Sequence, residues 1–303
     1  MSKKLLLASL SLLAFSPSAA FACACGCGVF DVGTGTMMPT SQGGNVWLEW
    51  DYMDQNVNWS GTGRSNPLNN ADKEIVSNFL TAGGQYMFNR SWGAQIEIPY
   101  TVRTFDTTDD SGAPANFHHS AFGDVRMEGI YSGLSDDMST GITYGLKVPT
   151  GDYHWGGFDR DSAIGAGSLS TLLGFYHQGN IEGQFNWFTN GLWDHAVTVA
   201  SHYRPGDEYD GSLGSYYNAG PMAGADNVAP LLQLLGSYRL HDVGFNADPQ
   251  DSGYRRLLIS PGVEYDIDAV KLYADVEVPV YQNVNGNQLT APILTKLVVA
   301  YSF

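Results

Sequence analysis

Few of the features that staple, charge or span other folds are present. Only 3 cysteines occur in 303 residues, all inside Cys23-Ala-Cys-Gly-Cys27, so no disulfide ties distant parts of the chain together. Lys and Arg number 15 against 31 Asp and Glu, a formal charge of -16. That balance excludes nucleic acid as a partner, because counterion release needs a basic surface. No stretch approaches the roughly twenty consecutive apolar residues of a membrane-spanning helix. If the chain crosses a membrane, it must do so as a closed β-barrel.

What is abundant fits that alternative. The chain has 36 glycines, 13% aromatic residues and only 15% charged residues, a composition of many strands and turns. Lys3 and Lys4 precede an apolar run from Leu5 to Phe15, and Ala20-Phe-Ala22 offers small residues where a signal peptidase cuts. The expected organisation is a signal peptide over 1–22, a periplasmic cysteine-bearing segment over 23–44, and an outer-membrane β-barrel over 45–303.

Stretches of about ten residues with alternating polarity mark spanning strands. Twelve are expected, near 45–58, 74–88, 92–104, 121–133, 138–150, 166–177, 182–192, 206–219, 229–239, 254–266, 269–281 and 290–303. Their connections alternate between short and long, as turns on one side of a membrane and loops on the other do. The 220–228 connection and the hairpin at Asn285-Gly286 depart from that rhythm. The expected fold is an all-β, antiparallel transmembrane barrel of about twelve strands, with a secreted β-sandwich as the competing reading of the same alternation.

The last strand adds a resemblance. In Ile293-Leu-Thr-Lys-Leu-Val-Val-Ala-Tyr-Ser-Phe303, Thr295, Leu297, Val299 and Tyr301 share one face, and Lys296, Val298, Ala300 and Ser302 the other. This resembles the C-terminal strand of bacterial outer-membrane barrels. The resemblance implies that Tyr301 and Phe303 act as an assembly signal read by the barrel-assembly machinery, and that outer-membrane lipid is a partner.

A second resemblance lies mid-chain. Phe122-Gly-Asp-Val-Arg126, Gly141-Ile-Thr-Tyr-Gly-Leu-Lys-Val-Pro-Thr-Gly-Asp152 and Tyr203-Arg-Pro-Gly-Asp-Glu208 resemble stretches of the barrels grouped as MetA-pathway phenol-degradation outer-membrane proteins. What this implies is a transporter-like barrel that passes small, often aromatic or hydrophobic, solutes.

With the apolar faces turned to lipid, Glu97, Arg103, Asp124, Arg126, Glu128, Lys147, Glu264, Lys271, Asp275, Glu277 and Lys296 are expected to line the lumen. Charges of both signs there either screen solutes in a pore or fill a narrow barrel with ion pairs. Cys23, Cys25 and Cys27 form the candidate metal site. No cofactor is required by the fold, but three thiolates at alternating positions suit Cu or Zn; a lipid anchor on Cys23 and inert thiols are the alternatives. His118, His119, His154, His195, His202 and His241 fall in expected loops with Asp106, Asp109, Asp110, Asp152, Asp159 and Asp161, as solvated residues or cation ligands. Trp47, Trp50, Trp59, Trp92, Tyr100, Tyr131, Trp187 and Trp193 are expected in interfacial girdles. Ser201-His202 suggests a nucleophile and base, but no oriented third member accompanies it. The sequence therefore indicates a non-enzymatic channel, with a metal-delivery barrel and a closed structural barrel as alternatives.

Overall fold

The structure, a computed structural model, describes residues 38–303 apart from Asp110. The expected signal peptide and Cys23, Cys25 and Cys27 lie outside the described residues.

Among the described residues fifteen strands join in one antiparallel sheet: β1 (Gly43–Gln55), β2 (Val57–Gly61), β3 (Gly63–Arg64), β4 (Glu74–Met87), β5 (Trp92–Thr108), β6 (Pro114–Phe122), β7 (Val125–Tyr131), β8 (Thr140–Val148), β9 (Ser170–Glu182), β10 (Phe185–Ala196), β11 (Glu208–Tyr217), β12 (Asn227–Arg239), β13 (Tyr254–Ile267), β14 (Val270–Thr290) and β15 (Leu294–Ser302). Three of these, β2, β3 and β6, extend other strands. The remaining twelve form a ring, in which β1 pairs with both β4 and β15, and β14 pairs with β13 to close it. All twelve expected stretches overlap these twelve strands.

Closure satisfies every neighbour along the wall, so no spanning edge is left for water or another chain to pair. Outward positions are apolar: Val46 and Leu48 on β1, Ile96 and Ile98 on β5, Leu272, Val276 and Val278 on β14, Leu297, Val299 and Tyr301 on β15. Inward positions alternate with them and are buried, Lys296 and Val298 among them. The lipid and lumen faces of the last strand are those that alternation predicts.

Two irregularities position the functional region. The strand opposite β5 is broken at Gly123-Asp124: β6 pairs with the outer half of β5, and β7 pairs with its inner half and with β8. After Val284, Asn285-Gly286 turns the chain, Gly286 taking φ 55°, and the residues up to Thr290 pair back onto β2. The short hairpin expected at that point is thus real. Short connections gather at one end, called the turn end, with Gly43 and Phe303. The long ones, 149–169, 197–207 and 240–253 among them, gather at the loop end.

Trp47 departs from expectation. Its neighbours Val46 and Leu48 face outward, so alternation turns Trp47 inward, where it is 5% exposed and belongs to no interfacial girdle. The other girdle assignments include real outward pairs, such as Trp92 with Tyr131 at 4.7 Å and Trp193 stacked on Tyr209 at 6.2 Å.

Candidate functional site

The lumen is layered. Along β15 the inward residues run Leu294, Lys296, Val298, Ala300, and they pair respectively with Met53, Asp51, Glu49 and Trp47 of β1. An apolar layer nearest the loop end therefore gives way to a charged layer and then to a second apolar layer. In the first, Met53, Leu235, Leu258 and Leu294 pack with Phe79 and Leu192, an arc from β10 round to β4. In the last, Trp47 packs with Tyr273, Val298 and Ala300 and lies across Gly83, where a Cβ would sit 2.0 Å from the indole ring.

The charged layer between them is buried. Lys296, 2% exposed, lies 3.4 Å from Glu49 Oε2 and 3.9 Å from Asp51 Oδ1. Asp275 Oδ2 accepts from Gln233 Nε2 at 2.8 Å, Ser260 Oγ at 2.7 Å and Tyr273 OH at 2.7 Å. Glu277 is buried beside them. Removing water from so many charges is unfavourable unless they compensate one another, and hydrogen bonds into Asp275 supply part of that compensation.

The remaining expected lumen residues also sit on inward positions. Glu97 accepts from Gln95 at 2.9 Å and lies 3.9 Å from Arg126. Lys147 forms an ion pair with Asp194 across β8 and β10. Lys271 holds Glu264 at 2.7 Å and Asp266 at 3.4 Å near the turn end. Glu128 lies on β7 opposite Gln95 and Gly145. Arg103 donates from Nε to Ser77 Oγ at 2.9 Å and from Nη1 to the Ser162 carbonyl.

That last contact reveals what the sequence conceals. The 149–169 loop folds inward, and Ser162 is fully buried inside the barrel. Asp124, at the break between β6 and β7, clamps both sides of this loop: Oδ1 accepts from Gly151 N at 2.9 Å and Oδ2 from Ala166 N at 2.7 Å. Gly151 and Gly165 approach so closely that a Cβ on either would lie 2.7 Å or less from the other's backbone. Thr150 Oγ1 spans the break, donating to Gly123 O at 3.0 Å and accepting from Val125 N at 3.0 Å. Arg160 lies over the rings of Tyr203 at 4.4 Å and Tyr153 at 5.0 Å. Tyr203 OH donates to Asp242 at 2.9 Å, and Gly206 N donates to the same carboxylate at 2.8 Å. The three mid-chain motifs are therefore the fittings of one in-folded loop.

Beneath it lies a cavity of about 230 Å³, lined around the wall by Glu49 and Asp51 of β1, Pro99 and Arg103 of β5, Lys147 of β8 and Asp194 of β10. A second cavity, about 380 Å³, opens at the turn end. Met38–Gln42 enter the barrel there: Met38 packs among Met87, Ile130, Met138, Tyr176 and Phe188, and Gln178 Nε2 donates to Pro39 O at 3.4 Å. The Trp47 layer lies between the two cavities.

Of the six histidines expected in loops, His118 and His119 lie on β6 and His195 on β10, where the strands run past the expected boundaries, and these three contact polar side chains. His119 Nε2 lies 3.0 Å from Asp152 and its ring stacks on Trp155 at 4.6 Å; His195 Nδ1 lies 2.8 Å from Asp207; His118 contacts Thr104. Among the described residues no group of three or more His, Cys, Asp or Glu has the geometry to hold a metal ion. Ser201 and His202 occupy a tight turn, with positive φ of 50° and 57°, closed by the Ala200–Tyr203 bridge. Glu49, Asp51 and Asp194 are lumen charges that sequence reasoning passed over. Val46, Leu48, Trp50 and Tyr52 alternate with Trp47, Glu49 and Asp51, so the signal for the first two was present.

No protein-family model matches the sequence, and no curated protein matches it. Among solved structures the chain is similar to an outer-membrane channel from Pseudomonas putida F1, with 13% identity, a TM-score of 0.67, and coverage of 90% of this chain and 100% of that one. It is also similar to the β domain of the Bordetella autotransporter BrkA, with 14% identity, a TM-score of 0.52, and coverage of 86% and 100%. What the chain shares with both is the fold of a bacterial outer-membrane β-barrel.

Proposed function

We propose that the protein is an outer-membrane channel of the transporter-like kind that its mid-chain motifs resemble, passing small aromatic or hydrophobic solutes without covalent chemistry. The carrying observation is the pair of cavities in series, capped by the in-folded loop and separated by the Trp47 layer. Phe79, Pro99, Ile164 and Tyr203 give the upper cavity apolar surface, while Arg103 and Asp194 give it polar handles. Such mixed walls suit amphipathic small molecules. The loop end faces outward in this reading, and the structure corresponds to a closed state.

The test is conductance of the refolded barrel in a planar bilayer, alongside uptake of a small aromatic solute into liposomes. Trp47→Ala joins the two cavities and is expected to raise both signals, at a stability cost of about 3–5 kcal/mol. Silence from the folded wild type and from Trp47→Ala alike would sink the channel reading. The buried Lys296 layer favours a second reading, a closed structural barrel, which predicts that silence. A metal-delivery role rests on the thiols alone: metal content that disappears on replacing Cys23, Cys25 and Cys27 with alanine would support it.

A further inference from the structure

The in-folded loop carries an acid that its surroundings do not accommodate as an anion. Asp161 lines the upper cavity, yet its Oδ2 is buried and makes no hydrogen bond. The groups around it are mostly acidic. Asp159 lies on the same loop, Asp72 comes from the segment preceding β4, and Asp242 from the loop after β12. Asp242 is already taken by Arg239 at 2.7 Å, Tyr203 and Gly206 N. Arg160, the adjacent cation, is turned away onto the Tyr153 and Tyr203 rings and the carbonyls of Gly165 and Ala166. Asp124 holds the loop by backbone amides, and Tyr203 faces Asp161 from the 197–207 loop.

We propose that Asp161 is a proton-operated latch: the 149–169 loop stays packed in the lumen while Asp161 carries its proton and is released when the proton leaves. This rests on the channel reading only for its consequence, the opening of the upper cavity. The packing argument is separate. An ionised carboxylate whose buried Oδ2 has no hydrogen bond, beside three other acids, is disfavoured by both desolvation and repulsion. Burial, and next Asp159, push the Asp161 carboxyl well above its ordinary value in the packed loop. The sign follows. Below the ordinary carboxylate pKa both states hold the proton and packing is at its strongest; between the ordinary and the raised value only the released state ionises, so packing weakens as pH rises. The opening equilibrium grows by up to about tenfold per pH unit across that window. The remaining pins, Arg103 to Ser162 O and Asp124 to Gly151 and Ala166, do not require Asp161 to be charged.

The experiment reads the loop directly, without transport. In a barrel whose three native cysteines are replaced by alanine, Ser162→Cys places a buried thiol on the loop, and Ser111→Cys, in the exposed β5–β6 turn, corrects for the pH dependence of maleimide chemistry itself. In vesicles the corrected labelling of Ser162→Cys is expected to rise at least about tenfold from acid to alkaline pH. With Asp161→Asn added, labelling is expected to stay low throughout. If Ser162→Cys fails to fold, trypsin cleavage after Arg160 in the otherwise native chain and in Asp161→Asn supplies the same contrast. Labelling or cleavage that is independent of pH, or that responds identically in Asp161→Asn, overturns the latch. Loop release by a barrel that never conducts would uphold the latch and remove the channel reading; conduction with a pH-insensitive loop would do the reverse.

Discussion

Lys296 shows how much one inward position can carry. It is buried against Glu49 and Asp51, with Asp275 and Glu277 close by, so Lys296→Met leaves carboxylates without their ammonium in a site water hardly reaches. Breaking a buried pair in this way costs about 3–5 kcal/mol. The expected outcome is a lower urea midpoint of the barrel in lipid vesicles, partly restored when Asp51→Asn is combined with it. The turn end offers a contrasting acid. Asp137 is fully exposed, but the Ser139 hydroxyl and amide, with Ser135, hold its carboxyl down to about 2. A depressed acid keeps its contacts until pH falls through that value, so carboxyl NMR should place its midpoint near 2 and show the β7–β8 turn unchanged at pH 4.

At the scale of elements, strands were legible and the loop was not. Alternation is a local property, so Thr295, Leu297, Val299 and Tyr301 announce their face without knowledge of their partners. Asp124, Gly151 and Ala166 are separated by up to 42 residues in sequence and meet only because the break at Gly123-Asp124 turns a carboxylate toward a loop returning from β8. Nothing in the spacing of the Gly-Asp motifs tells an in-folded loop from a solvated one. The same holds for the hairpin extension of β5 by β6, which read as loop because Asn116, His118 and Ser120 interrupt the apolar pattern. The loop makes a direct prediction. Replacing 159–166 with a short Gly-Ser linker removes the contacts to Arg103, Tyr203 and Asp124 while leaving every wall strand intact. The variant should remain folded by heat-modifiable gel mobility and conduct more than the wild type.

Across the whole molecule, acid outnumbers base, and the excess is not confined to the lumen. A formal charge of -16 gives the molecule a net negative potential, which attracts cations over roughly a Debye length of about 10 Å at 0.1 M salt. An open barrel should therefore show a cation-selective reversal potential that weakens as salt is raised, and anion preference would contradict that account. The ring itself closes through β1 and β15, whose paired residues include Asn45 with Ser302, from opposite ends of the sheet. Pairing so remote in sequence is slow, because loop-closure entropy must be met before the contact stabilises anything. The eleven other seams each join strands that follow closely along the chain, so they can zip early into a curved, open ribbon. Closing the last seam is then the step that removes the ribbon's two unpaired margins, which until that point are open to pairing with another chain.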